Sequence, residues 1–242
     1  MTRAQIQQVF FRKDGRLASV QAACRRLKLL SEREYLDRIR LPVSQGSGPY
    51  LYLPGTAADV VVDKDERELW GRRRKARRVE SVAGFVHSLE VIDFYIALKE
   101  TIERWGGTLV TWLGEREARH QFVRNKKKLL LNPDGYCLWA LGEEEGSFFL
   151  EWDRGTESMT RFSQKLDRYE AYYKIRAYHD HLGQVGLRPR LLIVVPDERR
   201  EEKLHKWLSS RQERRKLTSL PTVLVAARDP VIADTMGPIW RV

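Results

Sequence analysis

The sequence predicts a mixed α/β protein in which a small helix-and-hairpin segment precedes a larger segment built around a sheet. From residue 82 onward, helical and strand patterns alternate in the order α-β-β-β-α-β-α-β. Before that point, an amphipathic helix is followed by two strands and a turn-rich tip. The excess of positive charge also lies in this front segment. Together these observations predict two domains of different electrostatic character.

Composition excludes several classes of protein. The chain has 242 residues, of which 42% are hydrophobic and 32% charged, so it can bury a substantial core and is not expected to be disordered. Its apolar runs are shorter than the roughly 20 residues of a membrane-spanning helix, and Met1–Gln5 lacks the apolar stretch of a secretory signal. Cys24 and Cys137 form no disulfide or zinc pattern. We therefore expect a cytoplasmic protein with no membrane partner.

The positive charge points to a polyanionic partner. The net charge is +11, and residues 1–79 carry 18 Lys and Arg against 9 Asp and Glu, whereas residues 80–242 carry 26 against 24. Such a concentration of cations gains affinity for nucleic acid by releasing the counterions condensed on it. A merely soluble basic surface is the alternative.

The front segment reads as a winged helix-turn-helix domain over residues 1–70. A short helix at Arg3–Phe11 precedes the amphipathic helix Ala18–Leu30, whose apolar face is formed by Val20, Cys24, Leu27 and Leu30. Strands are predicted at Tyr35–Leu41 and Tyr50–Leu53 around the tip Pro42–Pro49, and a further short helix and connection at Thr56–Trp70. A helix followed by a hairpin is typical of the end of a winged helix.

This assignment predicts which cations contact double-stranded DNA. In such domains one helix enters the major groove and the hairpin lies over the neighbouring backbone. Arg25, Arg26 and Lys28 are therefore expected to face the groove, and Arg38 or Arg40 a phosphate. Winged helices also serve as protein-interaction modules, so that alternative stays open. A homodimer is likewise open, because winged-helix proteins often dimerise on palindromic sites.

A dense run of basic residues occupies the predicted linker, residues 71–81. Six of seven consecutive positions are basic, namely Arg72, Arg73, Arg74, Lys75, Arg77 and Arg78. Its position between two compact segments favours a strap that contacts DNA phosphates over a solvated helix face.

The back segment, residues 82–242, is predicted to form a mixed central sheet with helices on both faces. A helix at 82–105 ends at Gly106-Gly107. The strands that follow are predicted at Leu109–Leu113, at Leu129–Leu131 with Tyr136–Leu141, and at Ser147–Trp152, and then at Pro189–Val195 and Thr222–Ala227; helices are predicted at Thr160–Leu182 and Arg199–Arg214. The first three strands should pair as a meander, and right-handed crossovers should add the last two.

Three acidic residues follow this strand pattern. Asp134 starts the second strand, and Glu151 and Asp153 lie two residues apart at the end of the third, hence on one face. Carboxylates from adjacent strands could hold Mg²⁺ or Mn²⁺ for phosphodiester chemistry. One alternative is that Asp134 is a turn residue before Gly135. Another is that Arg154 or Lys165 neutralises Glu151 and Asp153 in a structural ion pair.

The element order and these acids resemble the core of the PD-(D/E)xK nuclease superfamily. The resemblance implies metal-dependent cleavage of DNA, as an endonuclease or nickase, with Asp134, Glu151 and Asp153 as catalytic metal ligands. The superfamily pattern has Lys where this chain has Asp153, so Lys165 from the next helix is expected to supply the missing cation. Asp93 and Glu100 are the acids of the first helix that are open to joining the site.

The back segment is also similar to the replication-relaxation family of plasmid and mobile-element proteins. The matching elements are His87–Phe94, Trp112 with Glu115, Pro133–Gly135, Phe149–Glu157, and Lys165 with Tyr169. The resemblance implies a winged helix joined to a nuclease-like domain, and DNA binding linked to plasmid replication or relaxation. A catalytically inactive nuclease-fold regulator and a protein-interaction module stay open as alternatives.

Overall fold

The structure is a computed structural model, and it describes residues 1–13, 15–40, 48–61, 82–183, 187–215, 221–238 and 240. These residues divide into two compact units, Met1–Ile96 and Ala97–Val242, and the boundary falls within one helix. The basic run within the predicted linker 71–81 lies outside the described residues, and the domain boundaries predicted from the sequence stay a prediction.

Two capped helices begin the front unit. Helix α1 spans Arg3–Phe10, and a capping box starts it: the Gln5 N–H donates to the Thr2 hydroxyl, while the Thr2 N–H donates to Oε1 of Gln5 at 2.9 Å. Helix α2 spans Val20–Glu32 and is capped by the Ser19 hydroxyl. A small hairpin that the sequence analysis did not predict joins the helices, with strands β1 (Arg12–Lys13) and β2 (Arg16–Leu17).

Helix α2 buries a different face from the predicted one. Ala23 and Leu27 are buried, one turn apart, whereas Val20 and Cys24 are exposed. The prediction that Val20 and Cys24 belong to the apolar face was therefore wrong. Both sets of residues have helical spacing, and the small side chain of Ala23 carries too weak a hydrophobic signal for sequence periodicity to choose between them.

The predicted hairpin of the front unit is present. Strands β3 (Leu36–Arg40) and β4 (Tyr50–Pro54) pair antiparallel, from Leu36 opposite Pro54 to Arg40 opposite Tyr50. Residues 41–47 of the predicted tip lie outside the described residues. A 3₁₀ helix at Thr56–Val60 follows, where a short helix was predicted, and the rest of the predicted connection from residue 62 onward lies outside the described residues.

Backbone contacts and one glutamine connect the elements of the front unit. The Tyr52 N–H donates to the Met1 carbonyl at 2.8 Å, beside a bridge between Thr2 and Leu51. Helix α3 spans Val82–Arg104, and its first part belongs to this unit. Nε2 of Gln5, which is buried, donates to the Leu89 carbonyl at 3.0 Å and to Oδ1 of Asp93 at 2.7 Å. Helix α1 is thereby held against both β4 and α3.

A mixed five-stranded sheet forms the second unit, as the sequence predicts. Its strands are β5 (Thr108–Gly114), β8 (Gly135–Leu141), β9 (Glu144–Trp152), β10 (Arg190–Val195) and β11 (Val223–Ala227), in the spatial order β11-β10-β9-β8-β5. Strands β5, β8 and β9 pair antiparallel as a meander, and β10 and β11 join in parallel through helical crossovers.

The helices of the second unit differ from the prediction at one break. After α3, which ends where the Gly107 N–H donates to the Ile102 carbonyl, come α4 (Met159–Lys174), α5 (Tyr178–Leu182), α6 (Glu198–Arg215) and α7 (Arg228–Ala233). The single helix predicted at Thr160–Leu182 was wrong, because the chain breaks at Arg176, whose φ of 54° is left-handed. Helix α7 was not predicted.

The core of the second unit lies between the sheet and the crossover helices. One contiguous cluster joins alternate residues of β9, β10 and β11 to residues of α4 and α6; it includes Phe149, Leu191, Ile193, Val195, Val223 and Val225 from the strands, and Phe162, Leu166, Leu204 and Leu208 from the helices. The intervening residues of β9 and β10, such as Leu150 and Val194, are also buried. These strands are therefore covered on both faces, as their continuous apolar sequence predicts.

A separate hairpin replaces part of one predicted strand. Leu129–Leu131 was expected to belong with Tyr136–Leu141 in the central sheet, but it lies in β7 (Lys127–Leu131), which pairs with β6 (His120–Arg124). The prediction was wrong because Asn125 and Lys126, with φ of 50° and 62°, turn the chain back in a two-residue loop. The described residues include no helix long and apolar enough to cross a membrane.

Candidate functional site at the ends of strands β8 and β9

Asp134 connects the start of β8 to the end of β9. Its N–H donates to the Leu150 carbonyl at 2.9 Å, and its Oδ2 accepts the Trp152 N–H at 2.7 Å. The next residue is a glycine for steric reasons, since a Cβ on Gly135 would lie 2.9 Å from the Trp112 ring. Asp134 is thus a bridge between two strands and not only a turn residue, and it holds its carboxylate beside β9.

Glu151 is a buried carboxylate with two side-chain partners on one helix. Its side chain is only 3% exposed. Oε1 accepts the Tyr169 hydroxyl at 2.6 Å, and Oε2 accepts the Lys165 ammonium at 2.7 Å. Lys165 and Tyr169 are four residues apart on α4 and so lie on the same face. Helix α4 therefore delivers a cation and a neutral donor to the two oxygens of one carboxylate.

The Lys165 ammonium lies among acidic groups. It is 2.7 Å from Oε2 of Glu151 and 3.2 Å from Oε2 of Glu157, and the charge of Asp134 also acts on it. We call Asp134, Glu151, Glu157, Lys165 and Tyr169 the acid–lysine cluster. Glu151 is nearly inaccessible, whereas the side chains of Lys165 and Glu157 are 31% and 24% exposed, so the cluster reaches solvent through these two residues.

Burial dominates the ionisation of this cluster. It raises the pKa of Glu151 from 4.5 to about 7; the charge and hydrogen bond of Lys165 lower this pKa, and the charge of Asp134 raises it. Burial would lower the pKa of Lys165, but the carboxylates of Glu151, Asp134 and Glu157 raise it above its ordinary value. Burial and the Glu151 charge raise the pKa of Tyr169 well above 10.0, so its hydroxyl stays a donor. The carboxyl group of Glu151 therefore keeps its proton to a higher pH than an exposed glutamate does.

Asp153 belongs to a second, neighbouring ion pair. Its Oδ2 accepts a hydrogen bond from Nε of Arg200 on α6 at 2.8 Å and lies 2.8 Å from Nη2 of the same guanidinium, and its Oδ1 accepts the Gly155 N–H at 2.8 Å. Arg200 also donates from Nη2 to the Glu157 carbonyl at 2.9 Å. Glu151, near the end of β9, and Asp153, directly after it, are thus paired with cations from two different helices.

The arrangement of the three predicted metal ligands does not fit a resident Mg²⁺ or Mn²⁺. Carboxylates are suitable donors for these ions. However, both oxygens of Glu151 and both of Asp153 already accept hydrogen bonds, and two cations neutralise them. Within the ranges that the structure describes, no three or more His, Cys, Asp or Glu side chains are grouped so as to hold a metal ion. Metal binding by Asp134, Glu151 and Asp153 therefore requires Lys165 and Arg200 to move, and it stays a prediction.

Other residues considered from the sequence have partners of their own, and some residues of the site were not predicted. Asp93 bonds to Gln5 within the front unit. Arg154, considered as a partner of the acids, is exposed, and Arg200 fills that role for Asp153. The sequence signal for Arg200 was available: it opens a helix directly after β10, whose carboxyl end lies beside that of the parallel strand β9. Tyr169 was named from the sequence as a residue that matches the family, and its hydroxyl donates a hydrogen bond to Glu151.

The predicted DNA contacts of the front unit are on its surface. Arg25, Arg26 and Lys28 are exposed on α2. Nζ of Lys28 lies 3.6 Å from Oε1 of Glu32, one turn further along the helix. Arg38 and Arg40 are exposed on one face of β3, with their guanidinium groups 5.1 and 4.1 Å from the centre of the Tyr50 ring. The predicted strap residues Arg72, Arg73, Arg74, Lys75, Arg77 and Arg78 lie outside the described residues.

Comparison with known proteins identifies a family for this chain. Residues 1–187 match the model of a family described as replication-relaxation. The match covers the front unit and the whole acid–lysine cluster, and it is wider than the motifs recognisable by eye in the sequence. Neither a curated protein nor a solved structure matches the chain.

Proposed function

The chain belongs to the replication-relaxation family, and from this premise we propose that it binds double-stranded DNA of a plasmid or other mobile element and acts in its replication or relaxation. Family membership itself suggests a role in plasmid replication. In this proposal the front unit is a winged helix-turn-helix DNA reader, and the second unit has a PD-(D/E)xK-like core.

The cationic surface of the front unit is the observation that carries the proposal. Helix α2 buries Ala23 and Leu27, and it exposes Arg25, Arg26 and Lys28. A helix that anchors one face in its domain and presents cations on another is suited to the major groove of DNA, where Arg and Lys read guanine edges and phosphates. The proposed reading element is therefore α2.

The hairpin adds a second set of cations with a defined orientation. Arg38 and Arg40 alternate along β3 and so share a face, and the Tyr50 ring supports both guanidinium groups. Both guanidinium groups place a positive charge beside the same ring, so an anion bound at this face is attracted by both. A DNA phosphate beside the hairpin supplies that anion, as the wing position of a winged helix requires.

The proposal is tested by measuring the equilibrium binding of a labelled duplex by the wild type, a front variant and a control variant. The front variant is Arg25→Gln, Arg26→Gln, Lys28→Gln; the α6 control is Arg199→Gln, Lys203→Gln, Lys206→Gln, which removes the same charge from exposed positions of the second unit. We expect the front variant to bind at least about 10-fold more weakly at low salt, since three cations that contact phosphates are lost. The α6 control should bind as the wild type does. Equal binding by all three proteins would contradict the proposal.

The ion pairs of Lys165 with Glu151 and of Arg200 with Asp153 favour a nuclease-like core that does not cleave DNA. Lys165 and Arg200 occupy the oxygens that a metal would need, so we propose the regulator in preference to the nuclease. Incubating supercoiled plasmid with the protein and Mg²⁺ or Mn²⁺ should leave it intact. Nicking by the wild type that Glu151→Gln abolishes would instead establish the metal-dependent nuclease.

A further inference from the structure

The hairpin β6–β7 carries a concentration of positive charge that the function proposed above does not use. Between Glu117 and Asp134 the sequence has no acidic residue, and it has five basic ones: Arg119, Arg124, Lys126, Lys127 and Lys128. Four of them occupy Arg124–Lys128, the end of the hairpin, which we call the hairpin tip. Lys126, Lys127 and Lys128 are exposed. Elsewhere the second unit has nearly balanced charge, so the tip is a local cationic feature.

The tip is held at the end of an anchored hairpin. Phe122 and Leu131, near the root, are buried in the main core of the second unit. The His120 ring stacks on His181 at a centroid distance of 4.0 Å, and the Phe122 ring packs edge-on against Tyr172 at 5.4 Å. The two strands pair through all five residues up to the two-residue loop. The cations are therefore presented by an ordered structure that need not be ordered again on binding.

The sequence of the tip conflicts with local stability in two ways. Arg124 lies directly opposite Lys127, and like charges at such a pair destabilise a hairpin. Lys126 has a φ of 62°, a left-handed conformation in which the preferred residue of this turn is glycine. No described carboxylate forms an ion pair with Arg124, Lys126, Lys127 or Lys128. Local conflicts of this kind are expected where function decides the residue.

We propose that the hairpin tip is a phosphate-contacting element that binds the backbone of duplex DNA from the second unit. Arg124 and Lys127, on one face of the hairpin, are placed to share one phosphate, and the adjacent lysines are placed to contact its neighbours. An anion between Arg124 and Lys127 removes their repulsion, so binding stabilises the arrangement that folding disfavours. Lysines at a tip act as point charges, which suits the backbone better than the bases. This inference rests on the DNA binding proposed above.

The test compares the salt dependence of duplex binding between two variants of equal charge. The tip variant is Lys126→Gln, Lys127→Gln, Lys128→Gln, and the α6 control defined above is its match. Because each phosphate contact contributes about 0.9 to the slope of log K against log salt, we expect the tip variant to lose about 2 to 3 from the wild-type slope. The α6 control should keep the wild-type slope. Replacing the same three lysines by arginine should restore it.

The outcomes separate this inference from the proposed function. If the wild type binds duplex with a steep slope and the tip variant keeps that slope, the hairpin inference is overturned while the DNA reader stands. If the wild type does not bind duplex at all, both fail. If the tip variant keeps its DNA slope but loses binding to poly-glutamate, the tip is a site for an acidic protein, which also overturns the inference.

Discussion

Glu151 is a residue whose ionised form is costly in its surroundings. Its side chain is 3% exposed, and its two oxygens accept hydrogen bonds from Lys165 and Tyr169. Taking a carboxylate and an ammonium out of water costs free energy that their attraction repays only with good geometry and full hydrogen bonding. The arrangement here supplies both, so the pair is structurally satisfied and yet sensitive to pH.

Replacing Glu151 by Gln should therefore change how stability depends on pH. Because burial raises the pKa of Glu151 from 4.5 to about 7, the folded protein holds a proton between these values that the unfolded chain releases. The wild-type free energy of unfolding should thus fall by up to about 3 kcal/mol as pH rises from 4.5 to 7, relative to Glu151→Gln. Chemical denaturation of both proteins across this pH range measures the difference.

Glu157→Gln is the matched control for this prediction. Glu157 also faces Lys165, but it is partly exposed, and its removal leaves the carboxylate of Glu151 in place. The control should retain the wild-type pH dependence. A wild-type curve parallel to that of Glu151→Gln would contradict the raised pKa.

The Asp153–Arg200 pair should show strong coupling in a double-mutant cycle. Arg200→Met leaves the 3%-exposed carboxylate of Asp153 without its cation, which we expect to destabilise the second unit by about 3 to 5 kcal/mol. Asp153→Asn combined with Arg200→Met should cost much less, because no buried charge is left unpaired. Urea unfolding of the two single variants and the double variant gives the coupling free energy. Additive costs would show that the pair contributes little beyond packing.

At the scale of elements, the hairpin β6–β7 is attached to the second unit through two histidines. Burial, with the neighbouring charge of His120, lowers the pKa of His181 to about 4, and burial also lowers that of His120. Below pH 6.5, His120 and His181 become protonated in the unfolded chain, whereas in the folded chain they stay neutral to a lower pH. Stability from the stacked pair is therefore complete above pH 6.5 and declines as pH falls toward 4.

His181→Asn should make the protein less sensitive to acid. Asparagine retains a polar group near the Tyr172 hydroxyl, which contacts Nδ1 of His181 at 2.9 Å, but it does not titrate. We expect the variant to be less stable than the wild type at pH 7.5 and to lose less stability on acidification to pH 5. Thermal unfolding at the two pH values tests this. If the wild type loses no more thermal stability than the variant between pH 7.5 and pH 5, the lowered pKa of His181 is contradicted.

Lys126→Gly should stabilise the hairpin while weakening DNA binding. Glycine adopts the left-handed conformation at this position without strain, so we expect a gain of up to about 1 kcal/mol, or about 2 to 4 °C in Tm. Lys127→Gly, in strand β7, should instead destabilise the protein. Calorimetry of the two variants measures both changes. A lower Tm for Lys126→Gly would remove the local conflict on which the hairpin inference partly rests.

Sequence patterns predicted most elements because their burial is simple. Strands β10 and β11 are apolar runs covered on both faces, and α3 ends at a glycine pair, so each has an unambiguous signal. The failures have a common physical reason. Strand β7 and the break at Arg176 depend on non-glycine residues in left-handed conformations, which side-chain periodicity does not register.

At the scale of the whole molecule, the sequence predicted where the acids meet but not how they are neutralised. The ends of adjacent strands necessarily bring Asp134 and Glu151 together, and strand register follows from the apolar pattern. The partners Tyr169 and Arg200 come from helices, and their reach depends on how each helix packs on the sheet. The spacing of acids therefore predicts a cluster, whereas only the three-dimensional packing distinguishes a metal site from paired ions.

The uneven distribution of charge is the property of the whole chain on which its proposed function depends. Residues 1–79 hold most of the net positive charge, and the second unit adds one cationic hairpin to an otherwise balanced surface. Because nucleic-acid affinity of this origin comes from counterion release, it should weaken steeply with salt whatever the DNA sequence.

Titration of wild-type protein against a labelled duplex at a series of salt concentrations measures this property directly. The proposed function places five cations of α2 and β3 on DNA. If each neutralises one phosphate, a plot of log K against log salt should be linear with a slope of about −4 or steeper. A flat plot, or no detectable complex at the lowest salt concentration, would contradict the account.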